Sequence, residues 1–114
     1  MNIPQNIPFV NQLKPAASDL KALAVALEYQ TYLQELVVCN QGSSKDQFRM
    51  ALCTEPNNGI LCNPEPKNYM YYDVEIPANT TFTVNMNNMQ VPRGTNILVY
   101  STNGDISFTL SMMR

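Results

Sequence analysis

Residues 69–86 read YMYYDVEIPANTTFTVNM. Met70, Tyr72, Val74 and Ile76 alternate with Tyr69, Tyr71, Asp73 and Glu75. Beyond PANT the alternation resumes, with Phe82, Val84 and Met86 set against Thr81, Thr83 and Asn85. A strand turns every second side chain to one face, so the pattern predicts a β-hairpin with one apolar side. The other side is built from hydroxyls and amides, where a solvated sheet ordinarily carries lysine and glutamate.

The same period runs outward from this stretch. Downstream, NMQVPRGTN makes a turn around Pro92 and Gly94, and Ile97 and Val99 share one face of the next strand. TNGD is a hairpin signal through Asn103-Gly104. In the last strand Ile106, Phe108, Leu110 and Met112 point in, and Ser107, Thr109 and Ser111 point out. Upstream, Phe48, Met50 and Leu52 alternate with Gln47, Arg49 and Ala51, following the turn QGSSKD. The segment 54–68, TEPNNGILCNPEPKN, is loop by its Pro, Gly and Asn content. Strands at short spacing with no helix between them predict an antiparallel β-sandwich, jelly-roll-like or Ig-like, of about eight strands.

Two regions read differently. SDLKALAVALEYQTYLQELVV (18–38) fits helical spacing through Leu20, Leu23, Ala24 and Leu27 behind Ser18. Leu23, Val25 and Leu27 also alternate with Ala22, Ala24 and Ala26, and periodicity does not separate the two readings. Residues 1–14 carry NIP twice, then Phe9, and proline disfavours helix for the residue before it. They are read as an extended N-terminal arm, either a disordered terminus or an arm docked on a neighbouring subunit, with 15–114 as a single sandwich domain. Ile3, Pro4, Ile7, Pro8 and Phe9 are the arm's predicted contact residues.

Composition bounds the function. At 114 residues the chain suits one domain with its own core. Seven scattered basic residues and a net charge of −2 do not supply the clustered cations that binding a nucleic acid requires. No apolar run approaches the ~20 residues that cross a bilayer. The start MNIPQNIPFV lacks the basic and apolar regions of a signal peptide, so the expectation is use without export. Without histidine, imidazole acid–base steps and nucleophile–histidine pairs are excluded. Asp73 and Glu75 lie two apart on one strand, which is polar exterior rather than a pair facing across a cleft. No catalytic residue, cofactor or metal site is expected. Among the cysteines, Cys39 and Cys53 are read as small hydrophobes at strand ends and Cys62 as reduced in a loop, a Cys53–Cys62 clip being the alternative.

Charged residues make up 14 % of the chain, against ~25 % in an average soluble domain. Protein interfaces are poor in Lys, Glu and Asp and rich in Tyr, Met and Arg. The hydroxyl face of Ser107, Thr109 and Ser111 and the amide face of the first hairpin are therefore predicted to meet protein. Tyr69 and Tyr71, on one outer face of their strand, join the predicted contact set.

Several pieces in combination resemble a family of small tailed-phage and prophage virion structural proteins. They are LKPAASDL (13–20), LVVCNQGSSKDQFRMAL (36–52), NYMYYDVEIPANTTFTV (68–84) and ILVYSTNGDISFTLSM (97–112). The resemblance implies two strands joined by a turn over residues 18–38 and a non-enzymatic virion part. Its partners would be the major capsid protein or other virion proteins, in a homo-oligomer with a trimer favoured. The chain would be made in the host bacterial cytoplasm and reside in the virion, with no nucleic acid and no membrane bound. A head decoration or cement protein fits best, because the chain lacks the heptads, collagen-like triplets and repeats of fibres. The alternatives are a tail, neck or fibre component, or a carbohydrate-binding module with Tyr69 and Tyr71 as its exposed aromatics.

Overall fold

The structure is a computed structural model and describes residues 7–54 and 63–114. Eight strands follow one another: β1 (Pro8–Leu13), β2 (Lys21–Ala24), β3 (Thr31–Asn40), β4 (Asp46–Cys53), β5 (Tyr69–Ile76), β6 (Thr80–Val91), β7 (Asn96–Ser101) and β8 (Ile106–Met113). A short 3-10 turn, Pro66–Asn68, precedes β5. Two four-stranded sheets result, with orders β1-β8-β3-β6 (sheet one) and β2-β7-β4-β5 (sheet two). All strand pairings are antiparallel.

The pairings are nested: β4 with β5, β3 with β6, β2 with β7, β1 with β8. That is a long hairpin closed at β4–β5 and rolled up, the connectivity of a jelly roll. The expected all-β sandwich is thus resolved to one of its two forms. Apart from β4–β5, successive strands lie in opposite sheets. The turns PANT and TNGD therefore carry the chain between sheets and do not close hairpins. Gly104 has φ +78°, so the glycine turn is present, but local turn chemistry reverses the chain without choosing its partner strand.

Apolar faces close on each other. Leu33, Leu36, Val38, Ile106, Phe108, Leu110 and Met112 of sheet one meet Phe48, Met50, Ile76, Ile97 and Val99 of sheet two, all buried. Each such side chain contributes about 1.5–3 kcal/mol of burial. At the centre Phe48 lies 5.8 Å from Phe108, edge to face, and 5.6 Å from Tyr71. β8 follows the expected alternation throughout. Phe82 keeps its inward phase, 6.3 Å from the Phe48 ring, yet is 39 % exposed because β6 is an edge strand. A smaller cluster of Ala51, Cys53 and Leu98 lies on the outer side of sheet two, under Leu20, Ala22 and Tyr69.

Three further expectations are corrected. The inner part of the predicted arm, Pro8–Leu13, is β1 of the sandwich, and Phe9 and Leu13 pack on the core. The boundary at residue 14 does not hold, because alternation over Phe9, Asn11 and Leu13 lets β1 zip onto β8 (Phe9↔Met112, Leu13↔Phe108). Over residues 18–38, where periodicity left helix and strand open, β2 and β3 form, joined by a turn as the resemblance implied; pairing overrides the helical propensity of the Ala/Leu run. In β5 the alternation breaks: Tyr71 packs on the core and Tyr72 faces solvent. The register skips between Phe48↔Val74 and Met50↔Tyr71, which sets Tyr72 and Asp73 together opposite Arg49. This is a β-bulge with Asp73 at φ +52°. Finally, Cys53 packs at the end of β4 as expected but is disulfide-bonded, while Cys39 is free. Cys62 lies outside the described residues.

The two ends of the described domain meet. Ile7 N–H donates to the Arg114 carbonyl at 2.8 Å, and Arg114 N–H returns the bond at 3.1 Å.

Candidate assembly face

The outer surface of sheet one is assembled from four strands that are distant in sequence. Register places Gln12, Thr109, Val37 and Thr83 in one row across it, and Val10, Ser111, Glu35 and Asn85 in the next. Pro8, Met113, Tyr32 and Gln90 form a third row, and Ser107, Cys39 and Thr81 a fourth. The hydroxyls of β8 and the amide-and-threonine face of β6 thus lie on one surface, on either side of β3.

Charge separates the two sheets. The four strands of sheet one carry a single charged residue, Glu35. Sheet two carries Lys21, Asp46, Arg49, Asp73 and Glu75. Taking an unpaired charge out of water is costly, whereas a hydroxyl with a hydrogen-bond partner is not. Some of these hydroxyls are already engaged within the face. Gln12 Nε2 donates to Thr109 Oγ1 at 3.2 Å, Gln41 Nε2 to Ser107 Oγ at 3.5 Å, and Thr81 Oγ1 to Cys39 Sγ at 3.5 Å. Between them stand Val10, 56 % exposed, Tyr32, Val37 and Met113. Chemically the surface resembles an interface core more than a solvated sheet.

At its free edge, β6 is interrupted. Asn87 and Asn88 both have positive φ (53° and 56°), the Asn85 side chain accepts from Asn87 N–H at 2.8 Å, and Gln34 Nε2 donates to Asn88 Oδ1. The register jumps there, from Glu35↔Asn85 to Leu33↔Met89. A bulge of this kind spoils edge-to-edge strand addition, so the open surface of sheet one is its face rather than its β6 edge.

The residues named from sequence divide. Ser107, Thr109, Ser111 and Pro8 lie on the face, and Ile7 beside it, paired with Arg114. Phe9 and Tyr71 turn to the core. Tyr69 belongs to sheet two. Ile3 and Pro4 lie outside the described residues. Val10, Tyr32, Val37 and Met113 were not singled out, although each sits in the outward phase of its strand.

On the outer side of sheet two, Arg49 is held between two rings. Its guanidinium carbon lies 4.1 Å from the Tyr72 centroid and 4.4 Å from that of Tyr100. Asp73 grips it with two hydrogen bonds, Nε to Oδ1 at 2.6 Å and Nη2 to Oδ2 at 3.3 Å, and these bonds raise the Arg49 pKa above its ordinary value. Glu75 pairs with Lys45 at 3.5 Å. Both carboxylates of the Asp73/Glu75 pair are therefore engaged by cations. Among the described residues no group of three or more Cys, Asp or Glu is placed to hold a metal, and no helix is long and apolar enough to cross a membrane.

No family model matches the chain, and no curated protein is similar to it. Solved structures that resemble it include the Tobacco streak virus coat protein dimer, with TM-score 0.41 and 9 % identity over 100 % of this chain and 90 % of that one. The same coat protein in another crystal form gives TM-score 0.41 and 10 % identity over 100 % and 89 %. The jelly-roll assignment rests on strand order.

Proposed function

We propose that this chain is a non-enzymatic structural protein of a virus particle, acting as a decoration or cement protein on a tailed-phage head. The charge-poor outer face of sheet one carries the reading: four strands present hydroxyls, amides and aliphatic side chains with one carboxylate among them. Support also comes from the architecture, which recurs in viral capsid domains although it hosts other functions as well. The sequence resemblance to tailed-phage virion proteins supplies the phage context. Copies associate through the sheet-one face into a ring, a trimer being favoured, and the segment before Ile7 lies along a neighbouring subunit or the major capsid protein. Many weak contacts around a symmetric ring sum to firm retention.

The test is to place a charge in the face. Thr109→Lys, at its centre, introduces an ammonium whose burial against a partner costs several kcal/mol. Purified wild-type protein is expected to self-associate in sedimentation velocity and to bind isolated phage head shells. The variant should do both about tenfold or more weakly while melting at a similar temperature. Deleting residues 2–6 should reduce shell retention without affecting the fold. A monomer at all concentrations that ignores the shells, or a Thr109→Lys protein that binds as well as wild type, would overturn the reading.

A further inference from the structure

The sequence alternation of β5 assigns Tyr72 to the core, yet the bulge turns it out and leaves it 57 % exposed beside Arg49. An aromatic ring withheld from the core and held rigidly at the surface needs an account. We propose that Tyr72, with Arg49, Asp73, Tyr100 and Tyr69, forms a binding platform for a neutral saccharide on the outer side of sheet two.

Three observations select that ligand class. First, the platform is already organised. The Tyr72–Arg49–Tyr100 stack is clamped by the Asp73 fork, and Tyr69 meets the Tyr72 ring edge-on at 5.1 Å and 87°. A ligand therefore has few side chains to order on binding. Second, the local charges cancel in pairs, Arg49 with Asp73 and Lys45 with Glu75. Among the described residues, the outer face of β4, β5 and β7 thus presents no unpaired cation to attract a phosphate and no unpaired anion to attract a polyamine, so the favoured occupant is uncharged. Third, an exposed ring beside fixed polar groups matches a sugar, which has an apolar C–H face and a rim of hydroxyls. Carboxylate oxygens keep acceptor capacity beyond the bonds to Arg49, and Gln47, half-buried in the neighbouring row, adds an amide. This surface is on the opposite sheet from the assembly face, so both can be occupied together.

The chain contains no tryptophan, so intrinsic fluorescence reports its tyrosines alone. Purified full-length protein is titrated with maltohexaose, cellohexaose and chitohexaose, followed by tyrosine fluorescence and amide NMR. At least one sugar is expected to bind saturably, with shifts centred on β4, β5 and β7. Tyr72→Ala should weaken that binding about tenfold or more, and Tyr72→Phe, which keeps the ring, should largely retain it. Arg49→Lys, which keeps charge but loses the planar stack, should weaken it as well. Tyr32→Ala, on sheet one, should leave it unchanged. Failure of all three sugars to saturate, or binding indifferent to Tyr72→Ala in a folded protein, overturns the proposal. So does a Tyr72→Ala protein whose self-association falls in the absence of sugar, since the platform is then a contact between copies.

Discussion

Single polar residues hold one pole of this sandwich together. Asp46 is buried, and its carboxylate accepts from Ser101 Oγ at 2.6 Å and from the N–H groups of Gln47 (2.7 Å), Asn103 (2.8 Å) and Asp105 (3.2 Å). Asn40 does the same for the adjoining turns, donating to the carbonyls of Ser44, Ile76 and Pro77 and accepting from Gly42 N–H. Burial by itself would raise the Asp46 pKa. The bonds from Ser101, Asn103, Gln47 and Asp105 together outweigh it and hold the group below the ordinary aspartate value. A carboxyl with a lowered folded pKa stabilises at pH above its unfolded value, near 4, and that contribution is lost as pH falls through the folded value. Thermal melts by circular dichroism should therefore show wild-type stability falling below about pH 4. Asp46→Asn should cost about 2 kcal/mol at neutral pH and lose less on acidification. An equal acid response in both proteins would remove Asp46 from the account.

At the scale of elements, two glycines share a backbone sign and differ in surroundings. Gly94 has φ +90° with open space where a Cβ would stand. Gly104 has φ +78°, and a Cβ there would lie 2.7 Å from Ala17 N. Gly94→Ala should cost about 1 kcal/mol, the conformational penalty alone. Gly104→Ala adds displacement of the β1–β2 connection, for about 2–3 kcal/mol in total, measured by urea denaturation. Equal costs would mean that the connection yields freely.

These elements also mark what a reader of the sequence can and cannot see. The alternation of β8 is legible because every inward position is apolar and every outward one polar up to Ser111. In β5 the phase is set by Arg49, on a strand 24 residues away, whose bond to Asp73 fixes the bulge. No local pattern contains that information. The Ala/Leu stretch at 21–27 has helical propensity, but strand pairing with β7 decides its state. Turn residues announced reversals at PANT and TNGD without saying that each crosses between sheets. Of the assembly face, the hydroxyl run on β8 was visible. Its union with β1, β3 and β6 depends on register, as does the meeting of Arg49, Tyr72 and Tyr100 from three strands.

For the whole molecule, nested pairing means that the first and last strands are neighbours and nearly every strand contact spans much of the chain. Loop-closure entropy must be met before such contacts form, so folding is expected in milliseconds to seconds. The shared core predicts one cooperative transition, with calorimetric and van't Hoff enthalpies in agreement. Phe48 touches Tyr71, Phe82 and Phe108, and so binds β4 to β5, β6 and β8. Phe48→Ala should cost about 3–5 kcal/mol and lower the melting temperature of both sheets together. Separate transitions for the two sheets would contradict a single core.

The reciprocal bonds between Ile7 and Arg114 make the described backbone almost a closed ring. A few glycines and serines joining those residues would complete it, and new termini cut at Ser43–Ser44 would open the roll at the opposite pole. Such a circular permutant should keep both sheets. A passenger peptide moved in this way from one pole to the other would reveal which end of each subunit faces outward in an assembled particle.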